Sequence, residues 1–225
     1  EEKAIEILRK RGIAQAAKKA AREQSEGKVF LAEGDGKAAL VLLRCETDFV
    51  ARGDGFVELG KQLADALLAG GEAKAKELAD QRVPEAVQAL GENISVGDMK
   101  VVAASVLGAY VHSNSKIGVL IGMEGGDKEL ARDLAMHAAA ANPLYVNPEE
   151  VTEDAVTKEK EIWKAQLQKE GKPEAIWDKV MGGKEKKFRE ENALLTQAFV
   201  KDPSKTVAQH VGAAKVTGYV RLSVA

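Results

Sequence analysis

The chain has little cysteine, few aromatic residues and no long apolar run. Its 225 residues include a single cysteine, Cys45, so neither an internal disulfide nor a cysteine metal cluster can form. One small, apolar thiol fits a reducing compartment. No apolar stretch is long enough to cross a bilayer, so no membrane association is expected. The sequence has no initiator methionine and no signal-peptide pattern, and we expect a trimmed, cytoplasmic protein.

Recognisable catalytic motifs are also missing. The three histidines, His112, His137 and His210, lie far apart, and none belongs to a metal-ligand motif such as H-E-x-x-H. There is no Walker-type phosphate loop, no nucleophile elbow and no cysteine–histidine arrangement. We therefore expect no catalytic residue, no metal ligand and no cofactor, and the residues favour an interaction protein over an enzyme.

The charge balance is close to neutral. Charged residues make up 30% of the chain, yet the formal net charge is only −2. A nucleic-acid-binding domain normally carries a broad basic face, and this composition does not predict one. Direct nucleic-acid binding is therefore not expected.

The most informative stretch is Thr47–Arg52, with the sequence TDFVAR. It follows an apolar run, Ala38–Leu43, that is typical of a buried strand, and a polar, glycine-containing break comes straight after it. An aromatic beside an acid at the end of a strand can project outward as a probe. Because phenylalanine is usually buried, the sextet alone favours the alternative, in which Phe49 is an ordinary core residue.

The first half of the chain switches from helical to extended periodicity and back. Helical spacing predicts a helix over Glu2–Glu23. Two extended stretches, Lys28–Ala32 and Ala38–Leu43, flank a Gly-Asp turn and predict a β-hairpin. Further helical segments are predicted after the sextet: Phe56–Leu68 with a stop at Gly70-Gly71, a charged stretch over Glu72–Ala79, and a short helix opened by Pro84.

The second half repeats this plan. Strands are predicted over Lys100–Leu107 and Lys116–Gly122, with a turn at His112–Ser115. Asp127 is a predicted N-cap of a helix that stops at Asn142-Pro143. Each half thus contains a hairpin, a Gly-Asp turn and an amphipathic helix, which indicates a degenerate internal repeat.

A helical hairpin and a last strand complete the predicted α+β fold. Residues 147–188 have helical periodicity with a break at Gly171-Lys172-Pro173, which predicts a protruding antiparallel helical hairpin, or coiled coil. Thr217–Val224 alternates like a strand and is expected to return to the second sheet. The fold is predicted to contain two related subdomains of antiparallel hairpin or sheet plus helices. The predicted division is a helix or linker remnant (1–24), an N-subdomain (25–105), a C-subdomain (106–146 and 189–225) and the inserted hairpin (147–188).

Six well-spaced motifs carry a family resemblance. They are Cys45–Arg52 (CETDFVAR), Gly91–Ile94 (GENI), Lys116–Leu120 (KIGVL), Ala135–His137 with Asn142-Pro143, Lys186–Phe188, and Phe199–Val207 (FV-x-DPSKTV). In this order they resemble the elongation factor Ts family, the guanine-nucleotide exchange factors of elongation factor Tu. The resemblance covers nearly the whole chain. Of the family's N-terminal helical domain only the last helix is recognised, so most of that domain is expected to be missing.

The resemblance implies a partner and a site. The partner would be elongation factor Tu, in its GDP-bound and nucleotide-free forms, and a homodimer of the complex is left open. A loop would enter the partner's GTPase domain near its Mg²⁺ and phosphate site, so that Mg²⁺ is dislodged, GDP leaves and GTP can reload. The residues of this loop are Thr47, Asp48, Phe49 and Val50. The weaker contact candidates are Leu90, Gly91 and His112.

Two other classes of protein remain as alternatives. A nucleic-acid or ribosome-associated α+β protein would use Lys184–Lys187 and the basic N-terminal helix. The interspersed acids and the negative net charge weigh against it. An enzyme acting on a small metabolite would need a deep pocket with convergent titratable groups.

Overall fold

The computed structural model describes residues 2–224, with side chains from residue 11 onward. Helices and antiparallel strands occur together, which confirms the predicted α+β class. No helix in this described range combines the length and apolarity needed to cross a membrane. The helices are α1 (Glu2–Lys19), α2 (Asp48–Arg52), α3 (Asp54–Leu90), α4 (Lys128–Ala141), α5 (Glu153–Lys169), α6 (Trp177–Asn192) and α7 (Val207–Val211). The strands are β1 (Glu26–Gly34), β2 (Lys37–Cys45), β3 (Ser95–Ala103), β4 (Val106–Val111), β5 (Ile117–Glu124), β6 (Ala198–Phe199), β7 (Asp202–Thr206) and β8 (Lys215–Ser223).

The chain divides into two compact units. The first comprises Glu1–Ala139 with Ala214–Ala225, and the second comprises Ala140–Ala213. In sequence the second unit is therefore an insertion into the first, and it contains the predicted helical hairpin. The finer four-part division stays a prediction.

β2 is the central strand of the first sheet, whose order is β1-β2-β3 with antiparallel neighbours. Successive side chains of a strand point to opposite faces, and nearly all those of β2 are buried. One face packs against α3, so that Val41 and Leu43 share a core with Phe56. The other face places Leu40 and Leu42 in a second core, which includes residues of β5 and β8.

The second sheet has the order β4-β5-β8 and lies directly against the first. Glycine permits this close approach, because a Cβ on Gly118 of β5 would lie 2.5 Å from Cγ1 of Val29 in β1. On the far side of the second sheet, a Cβ on Gly108 would lie 2.1 Å from the carbonyl carbon of Ala131 in α4. The first unit thus stacks α3, the first sheet, the second sheet and α4 in that order.

The two sheets have the same connectivity. In each, an antiparallel hairpin is followed by helix, and a third strand then pairs with the second strand of the hairpin. The return of β8 to β5 confirms the predicted role of the last strand. The shared plan agrees with the internal repeat inferred from the sequence.

The second unit contains the helical hairpin formed by α5 and α6. The side chain of Thr152 caps α5, accepting a hydrogen bond from the N–H of Ala155 at 3.3 Å. Trp163 of α5 packs edge to face against Phe188 of α6, with ring centroids 5.9 Å apart. Arg189 of α6 donates to the carbonyl oxygen of Val151 at 2.7 Å. The buried side chains of α5 are Val156, Trp163 and Leu167.

The strand predicted over Lys100–Leu107 is wrong, because this stretch crosses from one sheet to the other. β3 ends at Ala103 and pairs with β2, whereas β4 begins at Val106 and pairs with β5. At the crossing, the N–H of Ala104 donates to the carbonyl oxygen of Gly36 at 3.2 Å. The hydroxyl of Ser105 donates to the carbonyl oxygen of Met123 at 3.0 Å. The apolar pattern continues through the crossing, and no glycine or proline marks it.

Two helix ends also differ from the prediction. The first helix ends at Lys19 rather than Glu23. Pro84 does not open a helix but lies inside α3, which continues to Leu90. The break predicted at Gly70-Gly71 is confirmed, because Gly71 has φ 72° and ψ −170°, and the helix resumes directly after it. Only glycine adopts such a positive φ without strain.

The close contact between the second sheet and α4 gives the first prediction. We expect Gly108→Ala to lower the free energy of unfolding by about 3 kcal/mol, because the new methyl group would collide with helix backbone that cannot rotate away. Denaturant unfolding followed by circular dichroism measures the change. The matched control is Gly182→Ala in α6, where a Cβ meets nothing within 4 Å; it should gain about 0.5–1 kcal/mol. An unaltered midpoint for Gly108→Ala would contradict the close packing.

Candidate functional site: an exposed aromatic on a fixed loop

Phe49 is the most exposed of the large apolar side chains that the structure describes, with 83% of its surface open to solvent. It lies in the five-residue helix α2, which begins three residues after the end of β2. The hydroxyl of Thr47 caps this helix and accepts a hydrogen bond from the N–H of Val50 at 3.4 Å. The predicted projecting aromatic is therefore present, and the alternative of a core phenylalanine is wrong.

Residues on either side of Phe49 hold the short helix to the core. Ala51 is buried, with 3% of its surface exposed, and Val50 packs against the same core from its edge. Phe56, in the first turn of α3 after Gly53, is fully buried. Because α2 is anchored through this inner side, its outer side presents the ring of Phe49 to solvent.

Asp48 and Arg52 lie one turn apart on the same helix. A carboxylate oxygen of Asp48 is 3.1 Å from a guanidinium nitrogen of Arg52; the Arg52 side chain is exposed and that of Asp48 is about half exposed. Exposed pairs of this kind contribute little to stability. The pair leaves the Asp48 carboxylate at the surface beside the exposed aromatic ring.

A carboxylate from a neighbouring turn fixes the start of the loop. Glu92 follows the end of α3, and its Oε2 accepts the backbone N–H groups of Glu46 and Thr47, each at 3.0 Å. Its Oε1 accepts the hydroxyl of Thr47 at 2.5 Å. Hydrogen bonds to a charged acceptor are stronger than neutral ones, so this carboxylate is a strong local restraint.

A second contact runs in the opposite direction between the same two segments. The Oε1 of Glu46 accepts the backbone N–H of Asn93 at 2.6 Å, and the guanidinium of Arg22 lies 3.4 Å from the same oxygen. The bond from the Asn93 backbone, followed by the nearby Arg22, holds the pKa of Glu46 below its usual value. The side-chain amide of Asn93 donates to the carbonyl of Arg22 at 2.8 Å, which attaches the segment after α1 to the loop.

Cys45 lies directly beneath the loop. Its thiol is fully buried and donates to the carbonyl of Thr47 at 3.2 Å. Burial, followed by the charges of Glu92 and Glu26, raises the pKa of Cys45 to about 12. The predicted role as a small buried apolar residue is confirmed.

The turn between β4 and β5 lies next to the same loop. Asp48, Arg52 and the turn residues Ser113–Lys116 are among the residues that line a cavity of about 380 Å³. Lys116 pairs with Glu26 at 2.8 Å. The N–H of Val29 in β1 donates to the carbonyl of Ser115 at 2.7 Å, so the turn is fixed to the first sheet. Charged side chains of both signs line the cavity.

The three weaker candidate residues lie at the surface of the same unit. Gly91 is exposed and ends α3 in the left-handed conformation, with φ 79°. Leu90 is half-buried, and a Cβ on Gly55, beside α2, would lie 3.7 Å from its Cδ2. His112 is exposed, and its Nδ1 is 2.9 Å from the hydroxyl of Tyr110. The structure joins the 90–93 turn to the loop by hydrogen bonds, and residues 113–116, which follow His112, line the same cavity as Asp48 and Arg52.

Sequence reasoning missed the side chains that hold the loop. Glu46 and Glu92 belong to the CETDFVAR and GENI motifs, but the sequence assigned no structural role to either residue. Charged residues in polar segments are usually solvated, so composition offers no signal for them. The available signal was the glycine after a predicted helix, because a left-handed cap reverses the chain and aims the next residues back at their neighbours.

The described residues provide no group of three or more His, Cys, Asp or Glu side chains that could hold a metal ion. The histidine of the Ala-rich helix, His137, is buried within α4. His210 stacks on Phe199 in the second unit, with ring centroids 4.0 Å apart.

The fold and the loop together define an α+β protein that presents an exposed aromatic ring on a restrained surface loop. The sequence model described as "Elongation factor TS" matches residues 46–225. The chain is 44% identical to an elongation factor Ts of Alcanivorax borkumensis, covering 99% of this chain and 83% of that protein. It is 45% identical to that of Arthrospira platensis over 89% of this chain and 86% of the relative. It is 41% identical to that of Deinococcus deserti over 100% and 88%, respectively.

The chain therefore belongs to the elongation factor Ts family, as the resemblance indicated. This membership places it among the translation elongation factors, which act in protein biosynthesis.

The buried thiol beneath the loop gives the second prediction. With a pKa near 12, only about one Cys45 in ten thousand is ionised at pH 8, and the sulfur has no surface exposure. We expect a chromogenic thiol reagent to label the folded chain at least about a hundredfold more slowly than the chain in denaturant. The denatured chain is the control for reagent activity. Rapid stoichiometric labelling of the folded protein would show that the core around Cys45, beneath the loop, opens readily.

Proposed function

We propose that the chain is a guanine-nucleotide exchange factor that binds elongation factor Tu in its GDP-bound and nucleotide-free forms. The loop formed by Thr47, Asp48, Phe49 and Val50 enters the GTPase domain of the partner, dislodges Mg²⁺ and promotes release of GDP, after which GTP can bind. The exchange takes place in the cytoplasm. The observation that carries the proposal is the 83% exposure of Phe49 on a loop held by buried anchors and charged hydrogen bonds.

The proposed activity is displacement rather than bond chemistry. An exchange factor must bind the nucleotide-free partner more tightly than the GDP-bound partner, and each ligand then weakens the other by the same factor. A partner that binds GDP with nanomolar affinity gains about 12 kcal/mol from it. Shifting that equilibrium about 10⁴-fold needs roughly 5.5 kcal/mol of differential binding. Mg²⁺ is in this view a ligand that the partner loses and not a cofactor of this chain.

Burial of one phenylalanine would supply a large part of this difference where the nucleotide-free partner accommodates the ring and the GDP-bound partner does not. Burying about 150–250 Å² of aromatic surface at about 25 cal/mol per Å² yields at most about 4–6 kcal/mol. Ordering costs on association reduce that figure. Further contacts are therefore needed. The C-subdomain is the proposed source of a broad second contact, and the exposed Gly91 and His112, together with half-buried Leu90, are weaker candidates.

Truncation of the exposed ring tests the proposal. We expect Phe49→Ala to fold normally, because the ring buries little surface, and to slow stimulated GDP release at least about tenfold. Loss of a fluorescent GDP analogue from elongation factor Tu measures the rate.

The matched control is Ile162→Ala in α5, which removes another exposed apolar side chain, 51% open to solvent, far along the chain from the loop. It should leave the rate unchanged. A Phe49→Ala variant with the wild-type release rate would refute the wedge.

A further inference from the structure

We propose that Glu92 is a positioning residue for the loop formed by Thr47–Val50, which carries Phe49. Its carboxylate sets the conformation of Thr47–Val50 before the partner is met, so that Phe49 is presented in one direction. This inference rests on the proposed function, because it names how the same site is prepared. Glu92 itself contacts Glu46 and Thr47 and is not proposed to touch the nucleotide.

The hydrogen bonds around Glu92 have a fixed direction. An ionised carboxylate can only accept, so the hydroxyl of Thr47 must donate its proton to Glu92 Oε1. The lone pairs of that hydroxyl are then free to accept the N–H of Val50, which is the helix-capping bond of α2. Glu92 thus acts on the helix that carries Phe49 through one intermediate hydroxyl.

The restraint matters because α2 is too short to be stable on its own. An isolated helix of five residues does not form in water, since nucleation costs more than its few hydrogen bonds return. The loop needs external hydrogen bonds to keep a single conformation. Two backbone N–H groups and one hydroxyl obtain them from Glu92.

The position of Glu92 is itself fixed by the end of α3. Gly91 has φ 79°, and its N–H donates to the carbonyl of Val87 at 3.1 Å. This left-handed cap ends the helix and turns the chain toward the loop. Because Leu90 and Gly91 are proposed partner contacts, the residue after them connects this contact area to the loop that carries the exposed ring.

The hydrogen bond between Glu46 and Asn93 attaches the loop to the turn after α3 independently of Glu92. This side chain–backbone bond of 2.6 Å does not involve Glu92, and we expect it to persist when Glu92 is replaced. The loop would then remain tethered at Glu46 while the direction of α2 is no longer fixed. Loss of Glu92 is therefore expected to have a local effect and not to unfold the unit.

Amide hydrogen exchange of the chain alone tests the positioning role without any partner. We expect Glu92→Ala to speed exchange at the N–H groups of Glu46, Thr47 and Val50 about tenfold, with the core strand β2 unchanged. The control is Glu77→Ala on the exposed side of α3, which should change none of these amides. Unchanged protection at the loop, or loss of protection throughout β2, would overturn the proposal.

Glu92→Gln keeps the size of the side chain and serves if the alanine variant folds poorly. Its single carbonyl oxygen can still accept the two backbone N–H groups, but its NH₂ group would face Thr47 as a donor. The hydroxyl of Thr47 then accepts hydrogen bonds from this NH₂ group and from the N–H of Val50, and its own proton no longer points at residue 92. We expect intermediate exchange rates at Val50; rates equal to wild type would overturn the directional role of the carboxylate.

A double-mutant cycle with Phe49→Ala separates positioning from general destabilisation. We expect Glu92→Ala to slow stimulated GDP release about tenfold in the wild-type background but less than about twofold when Phe49 is already alanine. Equal effects in both backgrounds would overturn the proposal. If the wild-type chain fails to stimulate GDP release, the proposed function is wrong. The amide hydrogen exchange measurement, which needs no partner, still decides whether Glu92 holds the loop.

Discussion

The packing of β2 on both of its faces is the constraint on which the rest of the first unit depends. A strand without a polar face needs cover on both sides, and β2 receives it from α3 on one face and from the second sheet on the other. The second sheet can approach closely because glycines such as Gly118 face the contact. The end of β2 at Cys45 is consequently a rigid platform, and the loop that carries Phe49 begins two residues beyond it.

The platform explains how a large apolar ring stays outside the core. Buried Ala51 and Phe56 follow Phe49 in the sequence and draw the chain back inward. The backbone N–H groups at the start of the loop, which a rigid turn would otherwise leave unsatisfied, bond to Glu92. The exposed ring is therefore a consequence of satisfied polar groups beneath it and of apolar anchors beside it.

Local patterns predicted those parts of the fold that local chemistry decides. The β1–β2 hairpin, the Asp127 cap of α4, the break at Gly71 and the return of β8 all follow from periodicity or capping residues. The crossing between β3 and β4 was not predictable in this way. Whether a residue pairs with one sheet or the other depends on distant strands, and an apolar run suits both.

The candidate site also combines features that local sequence indicates with long-range contacts that it does not. The pattern of an acid beside an aromatic after a buried strand drew attention to the loop but favoured a buried Phe49, and only the family resemblance implied that the ring projects; the structure places Phe49 outside the core. The contacts of Glu92 and Glu46 join segments more than forty residues apart in the chain, and neither residue type is distinctive at the surface. Such pairs become apparent only in the three-dimensional structure. In the sequence, the glycine before Glu92 is a local sign that the chain turns back after α3.

Rigidity of the loop also bears on how displacement would work under the proposed function. Burial of a phenylalanine is non-directional, so apolar area alone does not distinguish a GDP-bound partner from an empty one. Discrimination requires that the ring occupy space which the bound form of the partner cannot provide. A mobile loop would turn aside and leave the nucleotide in place, because its own rearrangement would cost less than that of the partner. A loop held by charged hydrogen bonds makes that rearrangement costly, and the partner must change instead.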